Sequence, residues 1–117
     1  MLLVKVPSSQ GSLEKNLGCE LAPDLLTQGL QGVDEVEVVQ NDIVETDKRI
    51  YEKALSTFPQ KAIFLGGDHS ITYSLFKAFS EKFQNPSLIV FDAHPDAMKG
   101  IKPVSHEDMN RELIEDG

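Results

Sequence analysis

The chain has 117 residues, of which 40% are hydrophobic and 26% charged, and a formal net charge of -8. That is enough for one soluble α/β-sized domain and too acidic, with no Lys/Arg-rich stripe, for a nucleic-acid surface. One cysteine, Cys19, permits no internal disulfide, and no apolar run approaches the ~18 residues of a membrane span.

Leu2 to Val6 reads as a first strand, stopped by Pro7 and a polar loop, Ser8-Ser9-Gln10-Gly11-Ser12. A polar loop after a strand is where binding residues tend to lie. Asn16-Leu17-Gly18-Cys19-Glu20 leads to Ala22-Pro23-Asp24, where Pro23 suits the first turn of a short helix ending near Gly29. Cys19 reads as a small, semi-buried apolar residue rather than a reactive thiol. Glu35 to Val39 alternates with period two and predicts a second strand nearer a sheet edge.

From Ile43 to Phe58, Ile43, Ile50, Tyr51, Ala54, Leu55 and Phe58 recur at helical spacing, with Asn41 or Asp42 as cap and Pro59 as stop. Lys61 to Leu65 predicts strand three. Ile71, Leu75, Ala78, Phe79 and Phe83 predict a helix over 71–83. Asn85-Pro86 then turns the chain into a fourth strand, Ser87 to Phe91. After a loop holding Gly100 and Pro103, Ser105-His106-Glu107-Asp108 opens a last helix in a capping-box-like pattern, with Met109, Leu113 and Ile114 as its apolar face and Gly117 as its stop. Alternating strands and helices predict a parallel sheet with right-handed crossovers.

The chemistry lies in the stretch from Ile63 to Asp96, where two apolar runs each end in polar, metal-binding side chains. In open α/β sheets ligands gather at the carboxyl ends of strands, so His69, Asp92, His94 and Asp96 are expected to converge on one crevice. Asp92, His94 and Asp96 stand at i, i+2 and i+4, so an extended backbone past Phe91 would point all three the same way. Carboxylates plus imidazoles without a thiolate suit a borderline-hard divalent ion such as Mn²⁺, with Zn²⁺, Co²⁺, Ni²⁺ and Fe²⁺ as competitors. Gly66-Gly67 lets strand three turn sharply so that His69 reaches over the sheet's end. Asp68 and Ser70 read equally as caps of the following helix or as support for the site.

Gly66-Gly67-Asp68-His69-Ser70 with Asp92-Ala93-His94-Pro95-Asp96, 23 residues from His69 to Asp92, resembles the ureohydrolase family of arginase and agmatinase. The Asn16-Leu17-Gly18 to Ala22-Pro23 stretch is similar to that family's amino-terminal loop. The resemblance implies a three-layer α/β/α arginase-like fold and a dinuclear Mn²⁺ centre that hydrolyses a guanidino group to urea and an amine. It implies His69 and Asp96 on one metal, His94 on the other, Asp92 bridging them and taking part in catalysis, and His106 as a proton shuttle. His106 is followed by Glu107 where the family usually has Gly, and a histidine in a helix's first turn is the alternative reading. Pro95 takes the variable position of its motif and removes an N–H while leaving the ligands in place.

The family's later Ser-x-Asp-x-Asp strand end has no counterpart here. The expectation is therefore a single arginase-like domain over residues 1–117, corresponding to the amino-terminal part of the family fold with about four strands. A cytoplasmic protein is expected, with a small guanidino substrate, no nucleic-acid or membrane partner, and either homo-oligomers or a missing carboxyl-terminal half. Two alternatives stand beside the hydrolase. One is a non-catalytic metal-binding module that needs a partner chain. The other is a fold-related deacetylase, which uses a single zinc.

Overall fold

The computed structural model describes residues 1–117. Its centre is a three-stranded parallel sheet in the order β2-β1-β3, made of β1 (Leu2–Val6), β2 (Asp34–Glu35) and β3 (Ala62–Gly66). β1 pairs with β3 along its whole length, Leu2 facing Ala62 and Val6 facing Gly66. The helices are α1 (Ala22–Leu26), α2 (Ile43–Thr57), α3 (Ile71–Lys82) and α4 (Met109–Glu115). No helix is long and apolar enough to cross a membrane.

Strand alternation decides which side chains enter the core. Val4 and Val6 point to one face and are wholly buried against Ile50 of α2 and Ile71 of α3, with Val36, Phe64 and Leu75 completing the cluster. On the opposite face Lys5 reaches Asp24 of α1 at 2.6 Å and Glu35 of β2 at 2.5 Å. One sheet face is thus closed by two long helices and the other by the short α1, which Pro23 starts at its first turn.

α2 begins as its sequence predicts, the Asp42 carboxylate accepting the Glu45 N–H at 3.0 Å, and ends one residue before Phe58. α3 ends at Lys82, and the Phe79 and Phe83 rings pack at 4.8 Å, with Phe58 edge-on to Phe83 at 5.2 Å. α4 buries Met109, half-buries Leu113 and leaves Ile114 exposed, so its apolar face is narrower than expected. Gly117 has φ +87° after the last turn, the left-handed stop expected of it.

Two strands depart from expectation. β2 stops at Glu35 instead of running to Val39. The reason is a side chain: Thr46 Oγ1 accepts the Val39 N–H at 3.0 Å and donates to its carbonyl at 3.2 Å, which draws that segment off the sheet. The run Ser87 to Phe91 joins no ladder, so the sheet has three strands rather than four. A run apolar at consecutive positions needs cover on both faces. Here Leu88 and Ile89 border one open apolar hollow of about 960 Å³ with Phe76, Phe79 and Phe83, while Phe91 is 96% exposed.

Candidate metal centre and its cleft

β3 ends at Gly66, and the turn into α3 carries Gly67, Asp68, His69 and Ser70. Neither glycine uses positive φ; Gly67 is needed for close approach to main chain, whereas Gly66 faces the movable end of a side chain. A Cβ on Gly67 would stand 2.2 Å from the Ser8 carbonyl oxygen, and one on Gly66 would stand 2.1 Å from Ile71 Cδ1. The β3–α3 turn therefore lies directly on the loop that follows β1.

Asp68 fastens the two loops. It is almost fully buried, its Oδ2 accepting the Gly11 N–H at 3.1 Å and its Oδ1 the Ser70 N–H at 2.8 Å. Its own N–H donates to the Ser8 carbonyl at 3.1 Å. Ser70 makes no side-chain cap on α3, so of the two readings of Asp68 and Ser70, loop support is what the bonds display.

With the turn fixed, His69 faces the second motif. Its Nδ1 lies 2.7 Å from Asp96 Oδ2 and 3.5 Å from Asp92 Oδ2. Ligand atoms of His69, Asp92 and Asp96 all fall within 4.8 Å of one another. Three donors bonded at ~2.1 Å and at right angles to one cation stand about 3 Å apart; the 2.7 and 3.5 Å distances from His69 bracket that spacing, and two carboxylates would offset the charge of a divalent ion.

The three meet by a bend, not by strand alternation. Asp92 Oδ1 accepts the His94 N–H at 2.9 Å, and Asp96 has φ +43°. The extended geometry expected past Phe91 is therefore lost, because the Asp92 side chain captures the backbone two residues on. That same bond is the leading reason the Asp92 carboxyl is held below its ordinary range, with the imidazoles of His69 and His94 helping. Asp96 is kept in its left-handed conformation by α4: Asn110 donates from its backbone N–H to the Asp96 carbonyl at 3.1 Å and from Nδ2 to the Pro95 carbonyl at 3.0 Å.

His94 stands outside the group of three. Its side chain is 82% exposed, with Nδ1 3.8 Å from Asp92 Oδ1. Asp92 consequently turns one oxygen toward His69 and the other toward His94. Beside them lies a cleft of about 510 Å³ lined by Lys15, Asn16, His94, Asp96, His106 and Glu107 among others. His106 both donates its N–H to the Gly11 carbonyl and places Nδ1 3.0 Å from it. Lys15 pairs with Glu107 across the cleft and is the first cause holding the Glu107 carboxyl below its usual range.

Sequence reasoning singled out His69, Asp92, His94, Asp96 and His106 but assigned no role to Gly11, Lys15 or Asn110. For Gly11 the available signal was its place in a polar loop after a strand. Nothing local marked the others.

The family model described as Arginase family matches residues 1–117. Among curated relatives, the chain is 41% identical over 66 residues to arginase 1, mitochondrial, of Arabidopsis thaliana, covering 56% of this chain and 18% of that protein. It is 48% identical over 42 residues to agmatinase of Blochmanniella floridana, covering 36% of this chain and 14% of that one. The crystal structure of formimidoylglutamase from Bacillus subtilis superposes with TM-score 0.84 at 23% identity, over 98% of this chain and 43% of that chain, which shows a common fold. The chain spans less than half the length of each of these relatives.

Proposed function

We propose, from the premise that this chain belongs to the arginase family, that it is a metal-dependent hydrolase, or part of one, acting on a small guanidino compound. Water adds to the guanidino carbon and the C–N bond to the substituted nitrogen breaks, so that an arginine- or agmatine-like substrate and water give an amine and urea. The observation that carries this reading is the convergence of His69, Asp92 and Asp96 within 4.8 Å at the end of a parallel sheet.

His69 and Asp96 would hold one divalent cation, Mn²⁺ in this reading, and Asp92 would share its oxygens between that ion and a second one held by His94. Such ions supply Lewis acidity and bring the pKa of water from ~15.7 toward neutrality. The chain's own residues do the rest. Asp92 and Asp96 would offset the charge of the ions they hold, and the bonds from Asn110 keep the Asp96 backbone from relaxing. His106, on the cleft wall, gives or takes a proton at the leaving nitrogen near neutral pH. The -8 charge favours a small cationic substrate over nucleic acid, and a cytoplasmic setting belongs to the same reading.

A second reading rests on one count: three donors converge, whereas two octahedral Mn²⁺ ions need more. On it, the chain binds one ion weakly and becomes active only with a further copy or a complementary polypeptide. Equilibrium binding of Mn²⁺ to the purified chain, followed by urea release from arginine and agmatine, separates the two. Absence of any bound metal overturns both. Metal binding without urea favours the second, and turnover by a monomer removes it.

A further inference from the structure

Gly11 occupies an unusual position between two parts of the site that do not touch. Its N–H is bound by Asp68, the neighbour of His69, and its carbonyl oxygen receives both the backbone N–H and the ring of His106, 95 residues away. No other residue type fits there: a Cβ would lie 2.0 Å from Ser70 Oγ and 2.4 Å from Ser70 Cβ.

A carbonyl oxygen only accepts, so the 3.0 Å contact requires the proton of neutral His106 to sit on Nδ1. Nε2, at the other edge of the ring, is then left with its lone pair. A histidine side chain free in water prefers the opposite tautomer, so the preference must be imposed by where the Gly11 carbonyl stands. That position is set by Asp68. Both of its oxygens accept backbone N–H groups, one from Gly11 and one from Ser70, which only a carboxylate can do; an amide in its place would present a donor to one of them.

We infer that Asp68 is a positioning residue: acting through Gly11, it holds His106 as the Nδ1–H tautomer and leaves Nε2 as the atom that accepts a proton. The inference deepens the hydrolase reading and rests on it only for the use made of Nε2. The tautomer itself is a property of the metal-free chain.

The test reads that tautomer directly, by long-range ¹H–¹⁵N correlation of the imidazole nitrogens in the metal-free 117-residue chain at a pH where His106 is neutral. The parent is expected to display Nδ1–H at His106. Asp68→Asn is expected to shift His106 several-fold toward Nε2–H, while Glu52→Gln, an exposed side chain on α2 outside this chain of bonds, leaves it unchanged. A parent with Nε2–H at His106, or an Asp68→Asn chain that keeps Nδ1–H, overturns the inference. Should Asp68→Asn fail to fold, His106→Ala reads the same coupling backwards. The Gly11 and Ser70 amide resonances then move while that of Ser80 does not, and an unmoved Ser70 amide is the contrary result. Failure of metal binding or urea release would leave these readouts intact, so the two proposals fail separately.

Discussion

His69 and Asp96 lie 27 residues apart in sequence, yet Nδ1 of the first stands 2.7 Å from Oδ2 of the second. The contact joins the turn after β3 to the bend after Phe91, and it exists because each partner is held from behind. Asp68 ties down one turn, and Asn110 ties down the other. Donors arranged before any ligand arrives lose little freedom on binding one.

Asp96→Asn keeps the volume of that side chain and removes its charge. Because losing an outer-shell partner alone typically costs 10–100-fold in metal affinity, Mn²⁺ affinity is expected to fall by at least about 100-fold. Calorimetric titration with Mn²⁺, with circular dichroism to show an intact fold, checks this. Affinity within threefold of the parent would remove Asp96 from the ligand set.

The Gly67 position tests the loop-on-loop packing without touching a ligand. In Gly67→Ala the new methyl meets a backbone oxygen, that of Ser8, at 2.2 Å, and a main-chain atom has little room to yield. A loss of about 1–3 kcal/mol is expected, read from the urea midpoint.

Asp47 on α2 gives the fold a pH dependence of unusual sign for an acid. Burial, with Asp68 adding repulsion, raises its carboxyl to about 7, above the ~3.9 of an unfolded chain. The folded state therefore binds this proton more tightly. Its stabilising contribution is full below about pH 4 and is lost as the pH rises through 7. Asp47→Asn should flatten that slope and leave the chain about 1–2 kcal/mol more stable than the parent at pH 8, a figure reduced for partial solvent screening. Chemical denaturation at pH 5 and pH 8 is the measurement, and equal parent stability at the two would contradict it.

The amino end of α2 offers a separate check on local structure. Asp42→Ala removes the side-chain acceptor of the Glu45 N–H and is expected to cost about 0.5–2 kcal/mol. Loss of stability without loss of Mn²⁺ affinity would show that this helix is anchored independently of the site.

What could be read from the sequence was whatever depends on neighbours along the chain. The body of α2 and α3 follows from 3.6-residue periodicity, β1 from a short apolar run stopped by Pro7, and Asp42 from capping chemistry. The parallel sheet and arginase-like fold were also legible, through alternation and paired motifs. The shortened β2 was not, since it depends on Thr46 reaching back to Val39. Nor was the state of Ser87 to Phe91, where burial depends on what else is available to cover the run. In the site, the meeting of His69 and Asp96 was foreseeable from their motifs. The bend that turns His94 outward was hidden, because it depends on Asp92 bonding its own backbone instead of continuing the strand. The tie from Gly11 to Asp68 spans 57 residues, and the polar loop after β1 marked Gly11's neighbourhood without naming its partner.

The uncovered run from Leu88 to Phe91 also governs how the molecule behaves in bulk. Exposed apolar side chains favour self-association, and the eight surplus negative charges of each chain oppose it. That repulsion reaches only ~8 Å at 0.15 M salt and ~3 Å at 1 M. Turbidity at a fixed protein concentration is therefore expected to grow as added electrolyte shortens the range of the charge.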